Sequence, residues 1–61
     1  MADLIEGRWY KGQGAPLTGI HFKVIAVNDN GTVEIETASY HRRMTFKTLE
    51  VKDEMKAVEL A

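Results

Sequence analysis

The chain has 61 residues, a formal net charge of −1 and no cysteine, which allows one small domain and excludes disulfides and cysteine-based zinc sites. No apolar run approaches the about 20 residues of a membrane-spanning helix. The beginning of the chain also lacks the basic and apolar segments of a signal peptide, so we expect a cytoplasmic protein.

The first predicted element is a strand at Arg8–Lys11. Trp9 and Tyr10 are adjacent, so on a strand their rings face opposite sides, one toward the core and one toward solvent. An exposed ring can stack on a proline-rich ligand, a methylated cation or a base, and we take Tyr10 as a candidate contact. The residues that follow, Gly12–Gly19, hold three glycines and a proline, which predicts an irregular loop.

The strongest local pattern is a β-hairpin. Its strands are predicted at His21–Val27 and Thr32–Thr37, because both segments are rich in β-branched residues and alternate. Asn30 and Gly31 lie between the strands and are the preferred pair for a tight type I′ turn, in which both residues need positive φ.

Alternation divides the hairpin residues between two faces. The predicted core faces are Phe22, Val24 and Ala26 on the first strand, and Val33, Ile35 and Thr37 on the second. Ile25 and Val27 then share the opposite face of the first strand, which leaves apolar groups on both of its sides. We therefore consider Ile25 and Val27 candidates for self-association, or for packing on another element.

A third strand is predicted at His41–Lys47, after a break at Ala38–Tyr40. Met44 and Phe46 alternate with Arg43, Thr45 and Lys47, so one face is core and the other is polar. Tyr40, at the break, is a candidate neighbour for an exposed aromatic ring of the first strand.

Several basic residues indicate a second kind of binding site, one for nucleic acid. The candidate contacts for the phosphates of RNA or DNA are Lys23, Arg42, Arg43 and Lys47. By alternation, Arg43 and Lys47 share a face and Arg42 lies on the other. Glu34 and Glu36 face outward on the neighbouring strand, and pairing with Arg43 and Lys47 would neutralise the patch.

The last segment, Leu49–Ala61, fits two structures. The spacing of Val51, Met55 and Val58 suits a helix, whereas the alternation over Lys56–Leu60 suits a closing strand after a one-turn break. We favour the strand, because a small barrel needs an edge partner for its first strand.

No catalytic or metal-binding pattern is present. The two histidines, His21 and His41, have neither the H-x-x-x-H nor the H-x-H spacing of metal ligands. Gly12 and Gly14 precede a predicted strand, whereas a phosphate-binding loop needs a following helix. We expect no enzyme, cofactor, metal or small-molecule substrate, because side chains fill a barrel of this size and leave only shallow grooves.

Three segments carry a resemblance to SH3-like barrels, the group that includes Tudor, chromo-like and KOW modules: Gly7–Tyr10, Phe22–Val27 and Gly31–Ile35. They are also similar to a set of short bacterial proteins that have a Trp-Tyr pair near the start and a hairpin of this pattern. In most members of that set the strand after the hairpin is acidic, whereas His41–Lys47 is basic here. The resemblance covers roughly half of the chain, mostly core and turn positions, so it implies a fold and no activity.

The sequence thus predicts one all-β domain over residues 1–61, or β with a short C-terminal helix, as an SH3-like barrel of four to five strands. We expect a non-enzymatic module that binds another protein or a second copy of itself. The alternative is a weak RNA- or DNA-binding module that uses the basic strand. No membrane partner is expected.

Overall fold

The structure, a computed structural model, describes residues 4–60. The elements are β1 Trp9–Lys11, β2 His21–Val27, β3 Thr32–Thr37, β4 Arg43–Lys47, a helical turn Glu50–Glu54 and β5 Val58–Glu59. The strands form one five-stranded antiparallel sheet in the order β4-β3-β2-β1-β5. The predicted all-β class is confirmed. No helix within residues 4–60 is both long and apolar enough to cross a bilayer.

One continuous core holds the sheet together. Its buried apolar side chains are Tyr10, Leu17, Phe22, Val24, Val33, Ile35, Val51 and Met55. Phe22 and Val24 of β2, and Val33 and Ile35 of β3, follow the predicted alternation. Met44 and Phe46 of β4 pack against this core as expected. The rings of Tyr10 and Phe22 stack with centroids 6.0 Å apart, which joins β1 to β2 at the centre of the core.

The hairpin of β2 and β3 has the predicted strand bounds, but its turn differs from the prediction. Of Asn30 and Gly31, only Gly31 has positive φ, at 84°, so the turn is not type I′. The Gly31 N–H bonds the Asn28 carbonyl at 3.3 Å, and the Asn28 N–H bonds the Thr32 carbonyl at 2.9 Å. This longer loop, with one left-handed glycine at its end, is the other common hairpin connection.

A β-bulge in β2 changes which side chains share a face. The register of β2 against β3 shifts between Val24 and Ala26, so Ala26 lies opposite Glu34 and Val27 lies opposite Val33. The predicted common faces of Phe22, Val24 and Ala26, and of Ile25 and Val27, are therefore wrong beyond Val24. An extra residue in one strand moves every later side chain to the other face.

The third predicted strand begins two residues later than expected. Tyr40 and His41 have φ values of 65° and 48°, a left-handed conformation that cannot continue a strand. Both residues belong to the β3–β4 turn, and β4 begins at Arg43. Arg42 therefore precedes the strand.

Both predictions for the last segment are partly confirmed. Glu50–Glu54 forms a π-helical turn, in which the Met55 N–H bonds the Glu50 carbonyl at 2.8 Å, and Val51 and Met55 are buried. Val58, the third member of the predicted helical stripe, instead belongs to β5, which pairs with β1. The expected partner for the first strand is present. Within residues 4–60 no pairing joins β4 to β5, so closure into a barrel stays a prediction.

Candidate functional site

An open groove lies between the β1–β2 loop and the start of β4. Its volume is about 820 Å³, and its lining residues are Pro16, Leu17, Ile20, Thr37, Ser39, Tyr40, Arg42 and Met44. The floor is apolar, with Leu17 buried and Ile20 and Met44 half-buried. Tyr40 and Arg42 stand exposed on the rim. Two of the predicted contact residues are thus brought together beside an apolar floor, the usual composition of a ligand cleft.

The hydroxyl of Thr37 organises the rim. It donates a 2.6 Å hydrogen bond to the Ser39 carbonyl and accepts one of 3.1 Å from the Arg42 N–H. The Thr37 N–H in turn bonds the Arg42 carbonyl at 2.9 Å. Because Thr37 is buried at the end of β3, these bonds fix both ends of the β3–β4 turn to the core.

The turn holds Tyr40 in the most exposed position of any large hydrophobic side chain between residues 4 and 60, with 96% of its surface accessible. Left-handed backbone costs a residue with a Cβ roughly 1–2 kcal/mol, and Tyr40 and His41 adopt it in succession. No burial of the Tyr40 ring offsets this cost in the free domain. Strain of this kind is concentrated at ligand-binding sites and other functional sites.

The opposite wall of the groove is built by backbone hydrogen bonds within the β1–β2 loop. The Ile20 N–H bonds the Leu17 carbonyl at 3.0 Å, and the Gly12 N–H bonds the Ile20 carbonyl at 3.0 Å. The loop is also tied to the helical turn, since the Gln13 N–H bonds the Met55 carbonyl at 2.7 Å. These hydrogen bonds therefore fix the positions of the apolar residues of the loop.

Two of the other predicted basic contacts, Lys23 and Arg43, lie on the outward face of the sheet in a row of residues that crosses four strands. Lys23 lies opposite Trp9 on one side and opposite Glu36 on the other, and Glu36 lies opposite Arg43. Glu36 contacts the Arg43 guanidinium at 3.4 Å and Nδ1 of His41 at 3.5 Å. The predicted pairing of Glu36 with Arg43 is confirmed, and it neutralises part of the basic face.

Lys47 lies at the far end of β4 and does not join this row. It is opposite Thr32, and its backbone N–H bonds the Glu50 carboxylate at 3.1 Å. Glu34 lies opposite Thr45 and accepts a 3.3 Å hydrogen bond from the Asn28 side chain. No ion pair joins Lys47 to Glu34 or Glu36 within residues 4–60, so that part of the predicted pairing is wrong.

Tyr10 is buried, with 1% of its surface accessible, and this contradicts its prediction as a surface contact. Trp9 carries the exposed ring of the pair, with 40% accessible. The sequence shows that the two rings face opposite sides, but not which side is the core. Ile25 is half-buried and Val27 is exposed, and the bulge prevents them from forming one continuous face.

A second, smaller groove lies beside Trp9. Arg8 and Glu59 form an ion pair of 2.7 Å there, which links the residue before β1 to β5. Glu59 raises the pKa of the Arg8 guanidinium above its ordinary value, first by the hydrogen bond and then by charge. Across residues 4–60, histidine and carboxylate side chains nowhere gather in a group of three or more that could hold a metal ion.

Comparisons of this chain with protein-family models, with curated proteins and with solved structures find no match.

Proposed function

We propose that this domain is a non-enzymatic binding module whose ligand is another protein, bound in the groove between the β1–β2 loop and the β3–β4 turn. The observation that carries the proposal is the strained, almost fully exposed Tyr40 beside Arg42, over the floor formed by Leu17, Ile20 and Met44. Tyrosine and arginine are among the residues that contribute most to protein–protein binding energy. A cytoplasmic location is part of the proposal.

The arrangement of the groove favours a protein segment over a small molecule. The groove is open to solvent, and its rim offers the ring of Tyr40 and the guanidinium of Arg42 rather than an enclosed polar pocket. Arg42 forms no ion pair with any residue between 4 and 60, so its charge is available to a ligand carboxylate. An apolar side chain of the ligand would occupy the floor.

Selection of short random peptides on the immobilised domain tests this proposal. We expect enriched peptides that shift the backbone amide resonances of Tyr40, Arg42 and Met44. Tyr40→Ala and Arg42→Ala should each weaken binding by about tenfold, as expected when a central contact is removed. Arg8→Ala is the matched control, because Arg8 is also an exposed arginine but lies outside the groove. No enrichment, or shifts confined to other surfaces, would contradict the proposal.

Binding of single-stranded nucleic acid is the second candidate function. The observation that favours it is the exposed ring of Trp9 directly across from Lys23, where a base can stack while its phosphate contacts the ammonium group. Affinity for an oligonucleotide should then fall steeply with salt, and a joint change of Trp9 and Lys23 to alanine should abolish it. Resonance shifts would map to β1 and β2 rather than to the groove.

A further inference from the structure

The free edge of β4 has backbone groups that are positioned to pair with another strand. Within residues 4–60, β4 pairs only with β3. The Thr37 N–H bonds the Arg42 carbonyl, and the Thr48 N–H bonds the Gly31 carbonyl, which sets the alternation of the ladder between them. By this alternation, Arg43, Thr45 and Lys47 direct their N–H and C=O groups away from β3.

One of these outward-directed backbone groups, the N–H of Lys47, already binds a carboxylate within the domain. The Lys47 N–H donates to the side chain of Glu50 at 3.1 Å, on the side of β4 that faces away from β3. This contact closes the edge at its far end. The open part of the edge therefore extends from Arg43 to Thr45, next to the groove.

The groove and the edge are adjacent, because Met44 of β4 lines the groove, as does Arg42, the residue immediately before the strand. In a strand added beside β4, side chains would point alternately to the core side and to the outer side. Those on the core side would lie next to Met44 over the apolar floor. Those on the outer side would lie next to Arg43 and Thr45.

The charge of the β4 edge indicates which side chains the added strand would carry. Arg42, Arg43 and Lys47 make this edge cationic, and only Arg43 has an ion-pair partner within residues 4–60, namely Glu36. A second copy of β4 is disfavoured, since antiparallel pairing centred on Thr45 would place Arg43 opposite Lys47 of the other copy. Like charges directly opposite destabilise a strand pair, whereas acidic side chains would stabilise it.

We propose that the ligand of the groove is an extended acidic peptide segment, with alternating apolar and acidic side chains, that adds as a strand to the edge of β4 at Arg43–Thr45. This inference rests on the proposed function, because the apolar side chains of that segment occupy the same groove. Main-chain bonds supply affinity in this mode of recognition, and the pockets for alternate side chains supply specificity.

The test uses a capped peptide of alternating glutamate and valine, titrated into the full chain. Thr45→Pro removes one outward N–H without breaking a bond to β3, and proline is tolerated at such edge positions. Thr45→Val is the matched control, because it keeps the N–H and the β-branched shape. We expect Thr45→Pro to weaken binding by about tenfold and Thr45→Val to leave it unchanged. Two further peptides, one with the same residues in separate blocks and one with lysine for glutamate, should bind more weakly.

Amide hydrogen exchange of the unmodified domain supplies a second readout that needs no variant. The peptide should slow exchange at Arg43 and Thr45, while the Lys47 amide, already bonded to Glu50, should change least. Equal affinity of Thr45→Pro and Thr45→Val, with unchanged exchange at Arg43 and Thr45, would overturn the strand addition. If Tyr40→Ala still weakened binding in that case, the groove would remain the site and only the strand addition would fail.

Two other occupants of the edge would be recognised in the same experiments. A single-stranded oligonucleotide that binds Thr45→Pro and Thr45→Val equally, and outcompetes the peptide, would assign the cationic edge to nucleic acid. Dimerisation in sedimentation, lost in Thr45→Pro, would assign the edge to a second copy of the chain. Either result would overturn the proposed acidic peptide.

Discussion

The backbone N–H of Ile5 donates a 2.8 Å hydrogen bond to the phenolic oxygen of Tyr10. This bond ties the segment before β1 to a ring at the centre of the core. Tyr10→Phe would keep the stacking on Phe22 but remove the acceptor, so we expect a loss of about 0.5–1.5 kcal/mol in the free energy of unfolding, measured in urea. Trp9→Phe, at the exposed neighbour, should change it by less than about 0.5 kcal/mol. Similar effects of the two substitutions would contradict this assignment.

Thr37 should be more important for the site than its size suggests. Thr37→Val would leave the Ser39 carbonyl and the Arg42 N–H without their partner, so we expect a loss of about 1–3 kcal/mol. The Arg42 amide should also exchange faster with solvent, because the turn is released from β3. Thr37→Ser keeps the hydroxyl and is the control. Equal exchange at Arg42 in both variants would show that the hydroxyl does not organise the rim.

Substitution of Tyr40 should weaken ligand binding without lowering the stability of the domain. Its left-handed φ is unfavourable for tyrosine and tolerated by asparagine, and its ring is almost fully exposed. Tyr40→Asn should therefore be as stable as the unmodified domain, or more stable by up to about 1 kcal/mol, while peptides selected on the groove lose affinity. Thermal unfolding and peptide titration on the same samples measure both effects. Loss of stability in this variant would argue for a structural role of the ring.

Gly14 is expected to tolerate no side chain. A Cβ at this position would collide with the backbone carbonyl of Glu54, where the β1–β2 loop approaches the helical turn. Gly14→Ala should therefore cost about 1–3 kcal/mol, as for overpacking of a close contact, and should weaken the bond from Gln13 to Met55. Gly7→Ala is the comparison, because Gly7 has positive φ but open space around it. Its cost should come from the backbone alone, at about 1 kcal/mol.

The strand bounds of β2 and β3 could be predicted because alternation is a local property that both segments show strongly. The bulge after Val24 could not be located, because its only trace in the sequence is that Ile25 and Val27 place apolar groups on both faces, whereas the shift itself is visible only in the pairing with β3. The type of turn also depends on contacts that the residue pair alone does not specify. Asn30-Gly31 suits a type I′ turn, but the Asn30 side chain instead accepts the Thr32 N–H at 3.2 Å.

The candidate site was predictable only in pieces. The chemistry of Tyr40 and Arg42 marks them as candidates in the sequence, but the floor of the groove includes Leu17 and Ile20, twenty or more residues earlier in the chain. Whether these residues lie close together depends on how the β1–β2 loop folds against β4. Local sequence patterns carry no information about that contact. Pro16-Leu17 within a glycine-rich loop was the available signal, since an apolar residue in such a loop needs a place to be buried.

The position of β1 between β2 and β5 has a consequence for the order of synthesis. β1 emerges from the ribosome before the other strands, yet the segment that covers its outer edge, Val58–Glu59, is the last strand to emerge. Until then a nascent chain exposes the unpaired edge of β1 together with the ring of Trp9, a combination that favours aggregation. A released chain that lacks β5 would therefore present both edges of its sheet, those of β1 and β4, without a partner strand.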